Sequence, residues 1–137
     1  MAEVLVDTDG FSFLLRPGDS RAHLYRPHVE GLIAAISYIT IGEIYFWAER
    51  RGWGPERLRL VEERIRAAMI VRYDLDVCRA YARLKNGIRT ARGSHRVVGD
   101  NDLWIAACAV RHGIPLVTHN RRHLESIPGL DIISEAP

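Results

Sequence analysis

Three acidic residues stand where a folded chain of alternating strands and helices would bring them to one place. Asp7 closes the apolar run Val4-Leu5-Val6, Glu43 lies in the first turns of a helical pattern that starts at Tyr38, and Asp102 falls in the first turn of an almost wholly apolar helix. At an effective dielectric near 20, two carboxylates about 5 Å apart repel by about 3 kcal/mol, so a cluster of them is costly unless a cation sits among them. A hard divalent ion such as Mg²⁺ answers that need, because it takes oxygen ligands and keeps waters, leaving room for a phosphate oxygen. Each acid also has a plainer use. Asp7 can cap the helix that follows it, although Thr8 and Asp9 are equally able to. Glu43 shares a face with Thr40, Phe46, Trp47 and Arg50 and can be a surface residue paired with an arginine. Asp102 interacts favourably with the N-terminus of its own helix, in line with Ile105, Ala106 and Ala109, a small-residue stripe suited to packing on a sheet. Asp100 lies about 200° around the helix from Asp102, so Asp100 or Asn101 is assigned to capping.

The elements that must carry these acids follow from periodicity. Val4 to Val6 reads as a buried strand, followed by helical segments from Phe11 to Leu15 and from Ser20 to Glu30, and Leu32 to Ile36 as a second strand. From Tyr38 to Arg51 the residues Ile41, Ile44, Tyr45 and Ala48 keep helical spacing, with Gly52 as the stop. Pro55 favours initiation of the next helix, whose apolar line is Leu58, Val61, Ile65 and Ala68. Ile70-Val71 predicts a third strand, and Asp74 to about Arg89 a helix with Val77, Ala80, Tyr81 and Leu84 on one face. A basic, glycine-containing loop is expected from Asn86 to Gly99. Asp100 to Arg111 predicts a core helix ended by His112-Gly113, Pro115 to Thr118 a fourth strand, and Ile132-Ile133 a fifth. Strands alternating with helices imply a parallel sheet covered on both faces, with ligands beyond the carboxyl ends of its strands. Chemistry is therefore expected at Asp7, near Ser37, near Asp74 and from Thr118 to Asn120.

The 137 residues carry 19 basic and 17 acidic side chains and are 47% hydrophobic, a composition that predicts one globular domain over residues 1–137 with a core that needs no staples. The uncharged stretch Gly31 to Gly42 is too short to cross a bilayer, and the acidic start is unlike a signal peptide, so a cytoplasmic protein with no membrane contact is expected. Cys78 and Cys108 form no CxxC pair and are expected to be core thiols. Eighteen of the 19 basic residues are arginine, Lys85 being the one lysine; that bias is compatible with phosphate binding without requiring it.

With these residues in view, VLVDTDGF near the start, SYITIGEIYFWAER, GDNDLWIAACAVRHGIPLVTHN and RRHLESIPGLDII resemble, as an ordered set from Val4 to Ile133, the PIN-domain ribonucleases, in particular the VapC-type toxins of bacterial toxin–antitoxin pairs. The resemblance implies a three-layer α/β/α sandwich around a central, mostly parallel five-stranded sheet. It implies metal-binding acids at Asp7, Glu43 and Asp102, a fourth site position at Asn120, and an Mg²⁺- or Mn²⁺-dependent endoribonuclease. Such an enzyme inhibits translation by cutting RNA until a VapB-type antitoxin neutralises it, and homodimers are usual in the family. The chain departs from the pattern in two places: Asp9 stands where such toxins usually carry asparagine, and Asn120 replaces an aspartate that many relatives have, which weakens a second metal site.

Thr8, Thr118 and Asn120 can hydrogen-bond the carboxylates or ligand waters; capping and turn roles compete for Thr118. Arg83, Lys85, Arg89, Arg92, His95 and Arg96, with Arg121 and Arg122, form either an RNA-tracking surface or a solvated basic face. His119 and His123 have an i, i+4 spacing but no HExxH context, which argues against zinc. Phe46, Trp47 and Trp53 are core, or part of a groove for the antitoxin or a second copy. Two other functions compete with the ribonuclease: a non-catalytic RNA- or protein-binding α/β module, and a receiver-type phosphotransfer domain. The receiver-type domain is disfavoured because Lys85 follows no predicted strand.

Overall fold

The structure, a computed structural model, describes residues 2–90 and 98–137. Its elements are β1 (Glu3–Val6), α1 (Thr8–Leu14), α2 (Ser20–Val29), β2 (Ile33–Ile36), α3 (Tyr38–Arg51), α4 (Pro55–Ala67), β3 (Met69–Ile70), α5 (Leu75–Thr90), α6 (Asp100–His112), β4 (Leu116–Val117), α7 (Arg121–Leu124) and β5 (Ile132–Ile133). The five strands form one sheet in the order β3-β2-β1-β4-β5. Every pairing is parallel.

Side-chain alternation along the strands builds two cores. Val4 and Val6 of β1 join Ile36 and Val117 against α1 to α4, where Phe11, Tyr25, Ile44, Val61 and Ile65 are buried. Leu5, Ala35 and Leu116 face the other way, onto Val77 and Ala80 of α5 and the α6 residues Leu103 to Ala109. A period of two on strands buried on both faces gives the three layers that the sequence predicts. The small stripe of α6 lets this helix lie close to the sheet: Ala106, Ala107 and Cys108 have no exposed surface.

The order of the sheet reverses between β1 and β4, and such a switch point leaves a crevice at the carboxyl ends of the two strands. Asp7 follows β1 and Thr118 follows β4, and the Asp7 amide donates to the Val117 carbonyl across that junction. Helices α3 and α6 each end in a left-handed glycine, Gly52 at φ 61° and Gly113 at φ 64°, as the sequence predicts for a helix stop.

Several local expectations are corrected. The helix expected at Phe11 begins at Thr8, because Asp7 itself caps it. α5 runs to Thr90, in keeping with the helix expected to about Arg89, so that only the loop's expected start at Asn86 is displaced; the part of that loop over residues 91–97, with Arg92, His95 and Arg96, lies outside the described residues. Tyr45 points outward and donates to Glu62, and Thr40 takes the buried place instead. Cys78 is exposed and only Cys108 is a core thiol. Neither Asp100 nor Asn101 caps α6. Gly99 holds the cap position without a side-chain bond, and Asp100 instead accepts from Tyr81 and Lys85.

Candidate active site

Asp7 has two uses at once. Its Oδ1 accepts from the Gly10 amide at 2.7 Å, the helix cap, and its Oδ2 accepts from the Thr118 hydroxyl. The fit is close: a Cβ added at Gly10 would approach Asp7 Oδ1 to 3.0 Å and the Val6 side chain to 3.1 Å. Capping and chemistry are therefore not alternatives for this residue, since a cap at the end of the central strand necessarily lies in the crevice. Only 3% of Asp7 is exposed. Burial pushes its carboxyl up to about 7, the bonds from Thr118 and Gly10 hold it down, and the charges of Asp9 and Asp102 push it further up. Burial dominates because removing a charge from water costs more than two hydrogen bonds return.

Asp102 stands in the first turn of α6 and accepts at 2.9 Å from the Asn120 amide nitrogen, at the end of the loop after β4. Its carboxyl is also raised, first by burial and then by Asp9, while the Asn120 bond and nearby His123 oppose the rise. The Asn120 backbone amide in turn donates to the Thr118 hydroxyl oxygen at 3.0 Å. Thr118 therefore links Asp7 to Asn120, and Asn120 links to Asp102.

Glu43 takes a separate position in the same crevice. Thr8 donates to its Oε1 at 2.6 Å, and the Thr8 and Thr40 hydroxyls lie 3.0 Å apart. That chain runs back to Ser37, the cap of α3, whose Oγ accepts from the Thr40 amide. Glu43 is thus held by a buried threonine pair rather than by the arginine a surface glutamate would find.

The crevice gathers Asp7, Glu43, Asp102 and Asn120 around β1, α3, α6 and the loop after β4, but not as one tight knot. Among the described residues no group of three His, Cys, Asp or Glu side chains closes on a single point as a metal cage. The donor set still suits Mg²⁺ in kind, because that ion is commonly held by one or two carboxylates and completes its shell with water and phosphate. Two half- to fully buried carboxylates, Asp7 and Asp102, have no ion-pair partner among the described residues and repel each other's charge, which is the condition a cation relieves.

Sequence reasoning takes Asp9 as a capping candidate and a departure from the family pattern, not as part of the site. Asp9 is exposed in the first turn of α1, and its charge acts on both Asp7 and Asp102. The signal available was the acidic first turn itself, with Asp9 two residues after the cap Asp7. His119 and His123 do not share a helix face, because α7 begins at Arg121. His119 is instead paired through Nδ1 with the buried Tyr25 hydroxyl, and His123 sits near Asp102.

The sequence matches the PIN domain over residues 4–130. The chain belongs to the PIN-domain family. Among its relatives is the VapC ribonuclease Y4jK of Sinorhizobium fredii, 31% identical over 141 residues that cover 96% of each chain. Ribonuclease VapC2 of Haemophilus influenzae is 27% identical over 95 residues, covering 69% of this chain and 70% of its own. The structure of the DNA-bound VapBC from Salmonella typhimurium superposes with a TM-score of 0.82 at 25% identity, covering 98% of both chains. VapBC2 from Rickettsia felis, bound to a fragment of its promoter, shares the fold with a TM-score of 0.81 at 20% identity, over 96% of this chain and 98% of that one. The parallel five-stranded sandwich is the PIN fold, and the VapC resemblance read from the four motifs is borne out.

Proposed function

We propose that this PIN-domain protein is a divalent-cation-dependent endoribonuclease, with Mg²⁺ or Mn²⁺ as the ion, and the toxin of a toxin–antitoxin pair. It inhibits growth by cutting RNA and is held inactive by a VapB-type antitoxin. The single domain, residues 1–137, acts in the cytoplasm and as a homodimer. Among the described residues no helix is long and apolar enough to cross a membrane. The observation that carries the reading is the buried Asp7 at the sheet's switch point, with Asp102 and Asp9 near enough to raise the cost of its charge.

Asp7 and Asp102 would hold the cation, directly or through water, and Asn120 fixes the Asp102 carboxylate by its amide bond. The chemistry such an ion would supply there is Lewis acidity, which would activate a water for in-line attack on a phosphodiester and offset charge on the phosphate. Thr118 holds Asp7 Oδ2 in place, a positioning role. Glu43, oriented by Thr8, would position a water or complete the cation's shell. Asp9, exposed at the rim, adds negative charge that tightens the hold on a cation.

The test is cleavage of total cellular RNA by wild type and Asp7→Asn in Mg²⁺ and in Mn²⁺. Asp7→Asn is expected to lower the cleavage rate at least about 100-fold with circular dichroism unchanged; undiminished cutting overturns the assignment. One observation favours the other reading, a non-catalytic RNA- or protein-binding module: both Asp7 oxygens already accept hydrogen bonds. That reading gains if the wild type binds RNA and cuts nothing in either ion.

A further inference from the structure

Beside Glu43 the surface opens into a cavity of about 460 Å³ lined by Tyr38, Gly42, Glu43, Phe46 and Trp47 of α3 and by Asn101 of α6. Tyr38, Gly42 and Phe46 are four residues apart in turn, so they lie along one face of the helix. Two large rings there face solvent: Tyr38 is 57% exposed and Phe46 61%. Between them stands a glycine that the fold does not require. Gly42 has no positive φ, and a Cβ built on it meets no other atom within 4 Å. A mid-helix glycine costs about 0.5–1 kcal/mol against alanine. Here packing and backbone geometry return nothing for it. What the missing side chain leaves is a slot over the helix, bounded by an aromatic ring at each end.

The slot is pre-formed on one side. Tyr73 stacks on Tyr38, with ring centroids 5.8 Å apart and planes 25° from parallel, and Tyr73 meets Trp104 edge-on at 6.1 Å. One face of Tyr38 is therefore fixed by the protein while the ring remains exposed. At the rim, Asn101 offers an amide able to donate and accept, the pair of functions that a base edge presents. Glu43 connects the slot to the crevice, since the same carboxylate lines the cavity and accepts from Thr8, the residue after Asp7. A phosphate would be repelled by Glu43, whereas a flat, uncharged heteroaromatic ring would not.

We propose that this slot receives one unpaired nucleobase of the RNA, from the nucleotide next to the phosphodiester at Asp7 and Asp102, stacked on the free face of Tyr38, with Phe46 closing the far end of the slot, and read at its edge by Asn101. The inference rests on the ribonuclease reading and adds to it a base subsite on α3, formed by Tyr38, Gly42 and Phe46 with Asn101 at its rim, that holds a splayed base by stacking. Tyr38 and Phe46 are then specificity residues, and Gly42 is the gap that admits the ring.

The test uses labelled single-stranded oligo-uridylate and oligo-adenylate with an abasic oligonucleotide of equal length. Binding is measured by fluorescence anisotropy in the Asp7→Asn background with Mg²⁺, and cleavage in the otherwise wild-type chain. Tyr38→Ala and Gly42→Leu are each expected to weaken binding of the base-bearing strands by about tenfold, the scale of one lost stack, and Phe46→Ala, which opens the far end of the slot, by about threefold. In cleavage they raise KM with kcat little changed. Tyr38→Phe keeps wild-type affinity, and the abasic strand binds all variants alike. Equal binding of base-bearing and abasic strands by the parent protein overturns the proposal. So does wild-type RNA affinity in the three variants, including the case where light scattering shows a changed molar mass, which would assign the slot to a second copy of the chain. The two readings fail separately. Loss of stacking-dependent binding with normal cutting overturns only the slot, whereas stacking-dependent binding by a wild type that never cuts overturns only the nuclease.

Discussion

At the scale of single residues, the crevice is organised by hydroxyls that tie acids to the backbone. Thr118 is fully buried, donates to Asp7 and accepts from the Asn120 amide. Thr118→Val keeps the shape and removes both bonds, leaving Asp7 Oδ2 without its donor and the Asn120 loop without its anchor. Thr118 is one of the groups that hold the Asp7 carboxyl down, so its loss moves that carboxyl further up from about 7. Cleavage by Thr118→Val is therefore expected to fall about 10- to 100-fold, the usual cost of losing a group that orients a metal ligand. The acidic limb of its pH–rate profile is expected to shift to higher pH, whereas a merely structural loss would lower the whole profile without moving it. Thr8 does for Glu43 what Thr118 does for Asp7. Thr8→Val should lower kcat about tenfold, with a smaller effect on RNA affinity, measured in the same cleavage series.

At the scale of elements, three glycines give opposite expectations from the same physics. Gly113 closes α6 at φ 64°, where any Cβ is strained although the space around it is open. Gly113→Ala is expected to cost about 1 kcal/mol in urea denaturation, and Gly52→Ala, at φ 61°, a similar amount. Gly42 is helical and equally open, so Gly42→Ala should stabilise by about 0.5–1 kcal/mol. A loss at Gly42 would mean that the helix there is not what it is described to be. Much of this was legible in the sequence, because Gly52 and Gly113 follow apolar periodic runs that cannot continue past them, and the central strands betray themselves as short uncharged apolar runs such as Val4-Leu5-Val6 and Ile33-Ala34-Ala35-Ile36. The acids at Asp7, Glu43 and Asp102 were legible for the same reason, as each stands at a fixed offset from an element end. What stayed hidden depended on contacts across the chain. Nothing in the local pattern says that Tyr45 turns out to meet Glu62, that Thr40 turns in to meet Thr8, or that Asp100 is drawn from the cap to Tyr81 and Lys85. In sequence Asp9 reads only as a cap candidate and a departure from the family pattern, because its role in the crevice is electrostatic, acting on two acids without bonding to either.

At the scale of the whole molecule, the buried carboxylates couple stability to pH and to cations. Asp7 has a carboxyl near 7 in the folded chain against 3.8 for the ordinary group, so between those values the native state binds more protons than the unfolded one. Stability falls wherever that holds as pH rises. The contribution is fully present below about pH 4, is lost progressively as pH passes through 7, and above 7 stands as a penalty of a few kcal/mol. Asp102 is shifted the same way and adds to the slope. Asp7→Asn removes the charge but not the bonds: its carbonyl can still accept from Gly10, and the Thr118 hydroxyl can rotate to accept from the new amide. In EDTA, Asp7→Asn is therefore expected to match wild type near pH 4 and to exceed it in urea midpoint above pH 7, with the gap opening between. Mg²⁺ should then close the gap from the wild-type side, because an ion bound only by the folded chain stabilises it by RT ln(1 + [L]/Kd), while leaving Asp7→Asn almost unmoved. A gap that is the same at every pH would show that the Asp7 charge is not what the fold carries at a cost. A pH-dependent gap that Mg²⁺ leaves untouched would keep the buried charge and remove the cation from the crevice.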